Sequence, residues 1–140
     1  MTRQDEEIAE LNATIKTRIG VSPIHGVGVI AIQDIRKGEQ CHCLPTKNDA
    51  RWYKIPWGSL GKLFPEVRQL IIDQWPSIYN GSMFISPNNT TLRILYMNHS
   101  DDPNWDKKTD TALRDIARGE ELTETYKDME NWRQAFPWLT

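Results

Sequence analysis

Between Met97 and Trp105 the sequence runs Asn98-His99-Ser100-Asp101-Asp102-Pro103-Asn104. Nearly every side chain in this stretch hydrogen-bonds or turns the backbone. It follows the apolar run Leu92-Arg93-Ile94-Leu95-Tyr96-Met97, which reads as a buried strand. A polar knot directly after a buried strand is a place where ligand sites are built. Taken alone, the same residues would simply bond their own backbone in a tight turn. A second stretch answers the first: Gly119-Glu120-Glu121-Leu122-Thr123-Glu124-Thr125-Tyr126, a glycine turn and then a strand ending on a phenol. A third lies near the start, His25-Gly26-Val27-Gly28. Glycines there let the backbone approach a bound molecule closely.

The elements that must position these stretches follow from pattern. Ile8, Leu11 and Ile15 form one apolar stripe, so residues 4–16 read as a helix with acidic residues near its N-terminus. Ile15, Thr17, Ile19 and Val21 alternate and predict a strand with one buried face. Gly26, Gly28 and Ala31 have the spacing of a dinucleotide fingerprint. That fingerprint must open a helix. Here β-branched residues follow and a turn arrives at Lys37-Gly38, so the reading is rejected. Gln40 to Leu44 reads as a strand, and residues 45–61 read as irregular, punctuated by Pro and Gly. Trp52, Tyr53 and Trp57 would pin that loop or wall a site. Phe64 to Trp75 reads as a helix, with Pro65 in its first turn. Residues 82–86, 109–116 and 121–126 read as strands. A short tail helix starts at Asp128 as its cap, with Trp132 and Phe136 on one face. Many short strands, two or three helices, and neither internal repeat nor βα alternation predict a mostly-β α+β domain.

Composition narrows the class. The chain has 140 residues, 39% apolar and 26% charged. That suits one globular domain. A net charge of -2 provides no global field for a polyanion, so direct nucleic-acid binding is disfavoured. No apolar run is long enough to span a bilayer. The acidic start, Met1 to Glu7, lacks the apolar core of a signal peptide, which predicts an intracellular protein. The cysteines are two, Cys41 and Cys43, flanking His42. They read as small buried thiols, since a structural zinc needs four ligands and only His25, His42 and His99 stand besides. No metal is expected.

In this order the three stretches resemble the signature motifs of SET-domain protein lysine methyltransferases. Asp34-Ile35-Arg36-Lys37-Gly38-Glu39 also matches the family's continuation after the glycine segment. The resemblance covers roughly residues 17–127. The chain looks like the minimal form of viral and bacterial members, without cysteine-rich modules before or after the domain. It implies a single domain over 1–140, with an N-terminal helix at 1–16, a variable insert at 45–80 and a helical tail at 128–140. The fold it implies is a β-clip-like set of small curled sheets with a pseudoknot. The cofactor it implies is S-adenosylmethionine. The residues at the matching positions are His25, Gly26, Val27, Gly28, Tyr96, Asn98, His99, Tyr126 and Trp132 for the cofactor. Tyr96, Glu124 and Tyr126 match the lysine channel, with Tyr126 at the methyl-transfer centre. Phe136 and Trp138 are further candidates for the channel wall and the lid over the adenine. The partner implied is a protein with a lysine in a basic segment. The compartment would be a bacterial or viral-host cytoplasm, or a nucleus. Minimal members dimerise in some cases, and the tryptophans permit a homodimer here.

Such an enzyme must hold an amine in line with a methyl group and exclude water. It must also take the amine neutral, which an apolar channel beside a positive sulfonium favours. A tyrosine hydroxyl there can orient the amine and stabilise developing charge. Two positions depart from the family pattern. Asp101 and Asp102 replace a small residue or cysteine after Asn-His-Ser. Glu124 replaces the usual Phe or Tyr two residues before the tyrosine, a position that affects how many methyl groups are added. The alternative reading is a catalytically inactive SET-like module that binds protein.

Overall fold

The computed structural model describes residues 2–40, 53–74, 78–85, 96–128 and 130–140. Helix α1 (Arg3–Thr14) starts with a reciprocal cap: the Thr2 hydroxyl accepts the Asp5 N–H, and the Asp5 carboxylate accepts the Thr2 N–H. It ends before the expected boundary because Ile15 is already extended (φ -84°, ψ 94°). Strands β1 (Thr17–Val21) and β2 (Val27–Ala31) form an antiparallel hairpin, Thr17 opposite Ala31 and Val21 opposite Val27. Thr17 is buried, but Val21 is 88% exposed, so the expected buried face does not reach the hairpin tip.

The segment expected to be irregular contains structure from residue 53 onward. Strand β3 (Tyr53–Pro56) pairs with β5 (Ser82–Ile85), which also pairs with β4 (Ile78–Tyr79). Tyr53 and Ile55 are buried and Lys54 exposed, a period of two hidden by the surrounding Pro and Gly. Pro56 is tolerated because β3 is an edge strand. A 3₁₀ turn follows (Trp57–Lys62), then α2 (Pro65–Gln74). Val67, Leu70 and Ile71 give α2 its buried face, whereas Phe64, expected on that face, precedes the helix and is half exposed. The strand expected at 40–44 and the run 92–95 fall almost wholly outside the described residues, as do Trp52 and Trp75.

Strands β6 (Asn98–His99), β7 (Trp105–Asp106), β8 (Thr111–Ala112) and β9 (Glu121–Glu124) complete the sheets. The first sheet runs β1-β2-β9-β6, with β9 antiparallel to β2 and parallel to β6; β7 and β8 form a two-stranded ribbon. The strand expected over 109–116 is thus cut short: Asp110 takes a left-handed turn (φ 59°) and Ile116 bridges Ile35 alone. Strand β9 stops at Glu124, two residues before the tyrosine. The tail helix α3 is only Trp132–Ala135, and it is Asn131 in a left-handed conformation (φ 61°), not Asp128, that precedes it.

Two cores result. Ile8, Leu11, Ile15, Ile55, Val67 and Ile71 belong to one, between α1, α2 and β3. Val29, Ile35, Met97, Trp105, Ile116 and Leu122 belong to the other, under the first sheet. Small sheets and short helices around these cores make the mostly-β α+β domain that the pattern of short strands predicts. Among the described residues no helix is long and apolar enough to cross a membrane.

A repeat does exist, on a scale of six residues. Asp34-Ile35-Arg36-Lys37-Gly38-Glu39 and Asp115-Ile116-Ala117-Arg118-Gly119-Glu120 share Asp-Ile-x-(Lys/Arg)-Gly-Glu. They meet about a local pseudo-twofold. Ile35 and Ile116 exchange both backbone hydrogen bonds at 2.8 Å. The Asp34 carboxylate accepts the Arg118 N–H, and the Asp115 carboxylate accepts the Lys37 N–H, each at 2.9 Å. In each turn the glutamate caps its own hexapeptide.

Asn104 ties the polar knot to β9. Its amide donates to the Glu121 carbonyl at 2.9 Å and its side-chain oxygen accepts the Thr123 N–H at 2.8 Å, with Asn104 2% exposed. Asn104→Asp keeps the shape but removes the donor. We expect it to lower unfolding free energy by ~1–3 kcal/mol, read as a shift of the urea midpoint.

Candidate functional site

Strand β9 sets the site by pairing Asn98 with Thr123 and His99 with Glu124. From that position the Asn98 side-chain nitrogen faces four acceptors. They are the Ser22 hydroxyl at 3.1 Å, the His25 carbonyl at 3.1 Å, the Val27 carbonyl at 3.0 Å and Glu121 Oε2 at 2.9 Å. An amide nitrogen carries two hydrogens, so this corner has more acceptors than its own donor can satisfy. The Ser22 hydroxyl donates to Glu121 Oε1 at 2.6 Å and accepts the Ile24 and His25 N–H groups. Gly28 makes room for the arrangement: a Cβ there would lie 2.6 Å from Glu121 Oε2 and 3.0 Å from Asn98 Nδ2. Gly26 turns with φ +51°, and its carbonyl accepts the Ser22 N–H.

His99 and Tyr126 form the neighbouring unit. The Tyr126 N–H donates to His99 Nδ1 at 2.9 Å, so Nε2 carries the proton directed at Asp101 Oδ1, 3.0 Å away. Asp101 also holds the Lys127 ammonium at 2.8 Å. The hydrogen bond from Lys127, then that from His99, keeps the Asp101 carboxyl below its usual range. The Tyr126 hydroxyl donates to the Met97 carbonyl at 2.6 Å. Burial foremost, then the Glu124 and Glu121 charges, raises this phenol above its ordinary value. The ring packs 4.7 Å from Phe136 and 5.4 Å from His99, centroid to centroid, with Trp138 edge-on at 6.4 Å. Trp138 in turn lies nearly parallel to the His25 ring.

A cavity of about 390 Å³ opens between Ile24, His25, Asn98, His99 and Trp138. Two clefts of similar size, about 360 and 350 Å³, lie elsewhere, beside the Arg118–Glu66 ion pair. None of the Asn98, His99 or Tyr126 chemistry reaches their linings, so the first cavity is the candidate site.

The structure therefore brings together His25, Gly26, Val27, Gly28, Asn98, His99 and Tyr126. Tyr96 is 46% exposed on the chain leading into Met97. The Trp132 ring lies under Lys127 and Arg133, at 5.4 and 4.8 Å, and Trp138 rather than Trp132 lines the cavity. Ser22 and Glu121 were not singled out from sequence. Their signal was weak: a serine before Pro23 and one acid among several, joined across 99 positions.

Glu124 points inward. It is 4% exposed, and its Oε1 lies 3.9 Å from the Lys107 ammonium. Burial raises its carboxyl above the usual value; the Lys107 charge opposes this and the Asp128 charge adds to it. Among the described residues no cluster of three or more His, Cys, Asp or Glu could hold a metal. Cys41, His42 and Cys43 lie outside the described residues.

A family model described as the SET domain matches residues 26–127. The chain belongs to the SET-domain family. Among solved structures it is similar to a Plasmodium falciparum protein described as a histone methyltransferase: 20% identity, TM-score 0.39, covering 81% of this chain and 95% of that one. It is also similar to a chain in a humanized mutant of the Chaetomium thermophilum Polycomb Repressive Complex 2 bound to the inhibitor GSK126. There the identity is 22% and the TM-score 0.43, with 84% of this chain covered but 16% of that one. No curated protein matches.

A raised carboxyl means that native Glu124 holds its proton more firmly than the unfolded chain does. Its stabilising contribution is full below the unfolded value and is lost as pH rises through the raised one. We expect Glu124→Gln to be more stable than wild type near neutral pH, with the gap closing as pH falls toward about 4. Urea midpoints measured across that range read it directly.

Proposed function

We propose that this protein is an S-adenosylmethionine-dependent methyltransferase acting on a lysine side chain of a protein substrate. The observation that carries the reading is the acceptor-rich corner at Asn98, opening on an aromatic-walled cavity near the half-buried Tyr126 hydroxyl. The surplus of acceptors there, two carbonyls and a carboxylate around one amide, suits the ammonium end of an amino-acid moiety. The His25, His99 and Trp138 rings on the cavity suit a flat heterocycle. Gly28 keeps the corner free of a side chain. When bound, the cofactor supplies an electrophilic methyl group.

The chain's own residues do the rest. Asn98 anchors the amino-acid end, and the rings fix the other end. Tyr126, protonated at neutral pH and tethered to the Met97 carbonyl, keeps two lone pairs of its hydroxyl for an incoming amine. The Phe136 and Trp138 rings pack against its ring and narrow the approach of water. The target would be a lysine in a basic segment of a protein, attracted by exposed acids such as Asp102 three residues after His99.

The test is calorimetric titration with S-adenosylmethionine. We expect saturable binding that weakens at least about tenfold in Asn98→Ala and in Gly28→Ala, where the new methyl displaces the Glu121 carboxylate. Tyr126→Phe should keep the affinity and lose about a hundredfold or more in turnover on a lysine-rich polypeptide. No binding to folded wild-type protein would overturn the reading; binding without turnover would favour an inactive protein-binding module.

A further inference from the structure

The tail after Tyr126 lies over the cavity, yet little fastens it there. Among the described residues, 131–140 contribute one four-residue helix and no strand pairing. Phe136 packs on the Tyr126 ring, and Trp138 lies against the His25 ring with 64% of its surface in solvent. A single hydrogen bond among the described residues ties this segment to the rest of the chain: the Lys127 ammonium donates to the Thr140 carbonyl at 2.8 Å. The same ammonium lies 2.8 Å from Asp101 Oδ1 and 5.4 Å above the centre of the Trp132 ring. Asp101 is held in turn by His99 Nε2 at 3.0 Å. One cation therefore joins the polar knot that carries Asn98 and His99, the ring that opens α3, and the chain just past Trp138. It offers three N–H donors, enough for the carboxylate and the carbonyl together. Asp101 stands where the family pattern has a small residue or cysteine; without its carboxylate the ammonium would lose its counter-charge.

We propose that Lys127 is a positioning residue for the cofactor: its ammonium clasps the tail to the polar knot and so holds Trp138 over the cavity. The inference rests on the S-adenosylmethionine reading and goes beyond it, since Lys127 does not line the cavity and acts through Trp138. Two kinds of contact keep the tail down, and they answer differently to salt. The packing of Phe136 on Tyr126 is apolar, and added salt does not weaken it. The clasp is electrostatic and open to ions: Asp101 is 72% exposed and the Lys127 side chain 31%. Salt screens such a pair. Screening the clasp frees the chain around Trp138 while Phe136 still anchors the middle of the tail. Retention of the cofactor then falls although the corner at Asn98 is unchanged.

The test labels the full chain with fluorotryptophan and follows the Trp138 fluorine resonance, assigned by its loss in Trp138→Phe. The first measurement uses no cofactor. Sodium chloride raised from about 0.01 M to about 1 M is expected to move the wild-type signal toward its position in Lys127→Met. That variant keeps an apolar stem on Trp132 and should hold the shifted position at every salt concentration. Asp101→Asn should behave likewise, whereas Lys127→Arg, a cation with donors for both partners, should restore the wild-type response. A Trp138 signal indifferent to salt, or unmoved by Lys127→Met, would overturn the clasp. Calorimetry with S-adenosylmethionine at low salt reads the consequence. Affinity is expected to be about three- to tenfold weaker in Lys127→Met and close to wild type in Lys127→Arg. A moved Trp138 signal with unchanged affinity would overturn the positioning role. Wild-type protein that binds no cofactor would overturn the methyl-transfer reading and that role with it, while the fluorine result would still decide for or against the clasp.

Discussion

Strand β9 is only four residues long, yet it is hydrogen-bonded along both edges, antiparallel to β2 on one side and parallel to β6 on the other. That double pairing is the constraint from which the rest follows. A parallel neighbour cannot be reached by a tight turn, so the chain between β6 and β9 must loop away and return. The loop carries Asn104, which stitches itself back onto the β9 backbone, and the β7–β8 ribbon, which seals the core with Trp105. The strand's own side chains then face in two directions with two chemistries. Leu122 enters the apolar core, while Glu121 turns to the corner shared with Ser22 and Asn98.

The site is built from backbone as much as from side chains. Two of the acceptors around Asn98 are main-chain carbonyls, His25 in the β1–β2 loop and Val27 at the start of β2, and the Tyr126 hydroxyl is held by a third carbonyl at Met97. Such groups keep their place only if the strands beneath them do. This explains why the motif residues lie in a few short stretches that are far apart in sequence: each stretch is a loop at the end of a strand in one small sheet.

The short stretches were legible because each concentrates side chains with an unusual local purpose: two glycines in a hairpin, a polar run after an apolar one, a turn before a strand. Strand β9 and helices α1 and α2 were legible from period alone. What escaped had a different cause. Strand β3 is an edge strand whose two buried residues, Tyr53 and Ile55, are too few to outweigh Pro56 and the glycines after it. The choice between Trp132 and Trp138 depended on how the chain enters and leaves α3, where Asn131 takes a left-handed conformation before the helix and Pro137 follows it, matters of backbone geometry rather than hydrophobicity. The partnership of Ser22 with Glu121 depends on register between distant strands, which no local pattern encodes. Glu124 matches the lysine channel by position, but that its carboxyl is buried depends on β9 lying between β2 and β6, which residue type does not encode.

The paired Asp-Ile-x-(Lys/Arg)-Gly-Glu turns have a consequence for the order of assembly. Each aspartate completes the other turn, so neither hexapeptide can satisfy its own backbone while its counterpart is absent. As the chain leaves the ribosome, residues 34–39 must wait for residues 115–120, close to the C-terminal end of this sequence. Strand β2 waits likewise for β9. Contacts of such long sequence separation form slowly. The β1–β2 hairpin is therefore synthesised early and locked late, with one edge open in between, and an open edge is where nascent chains pair wrongly or meet a chaperone.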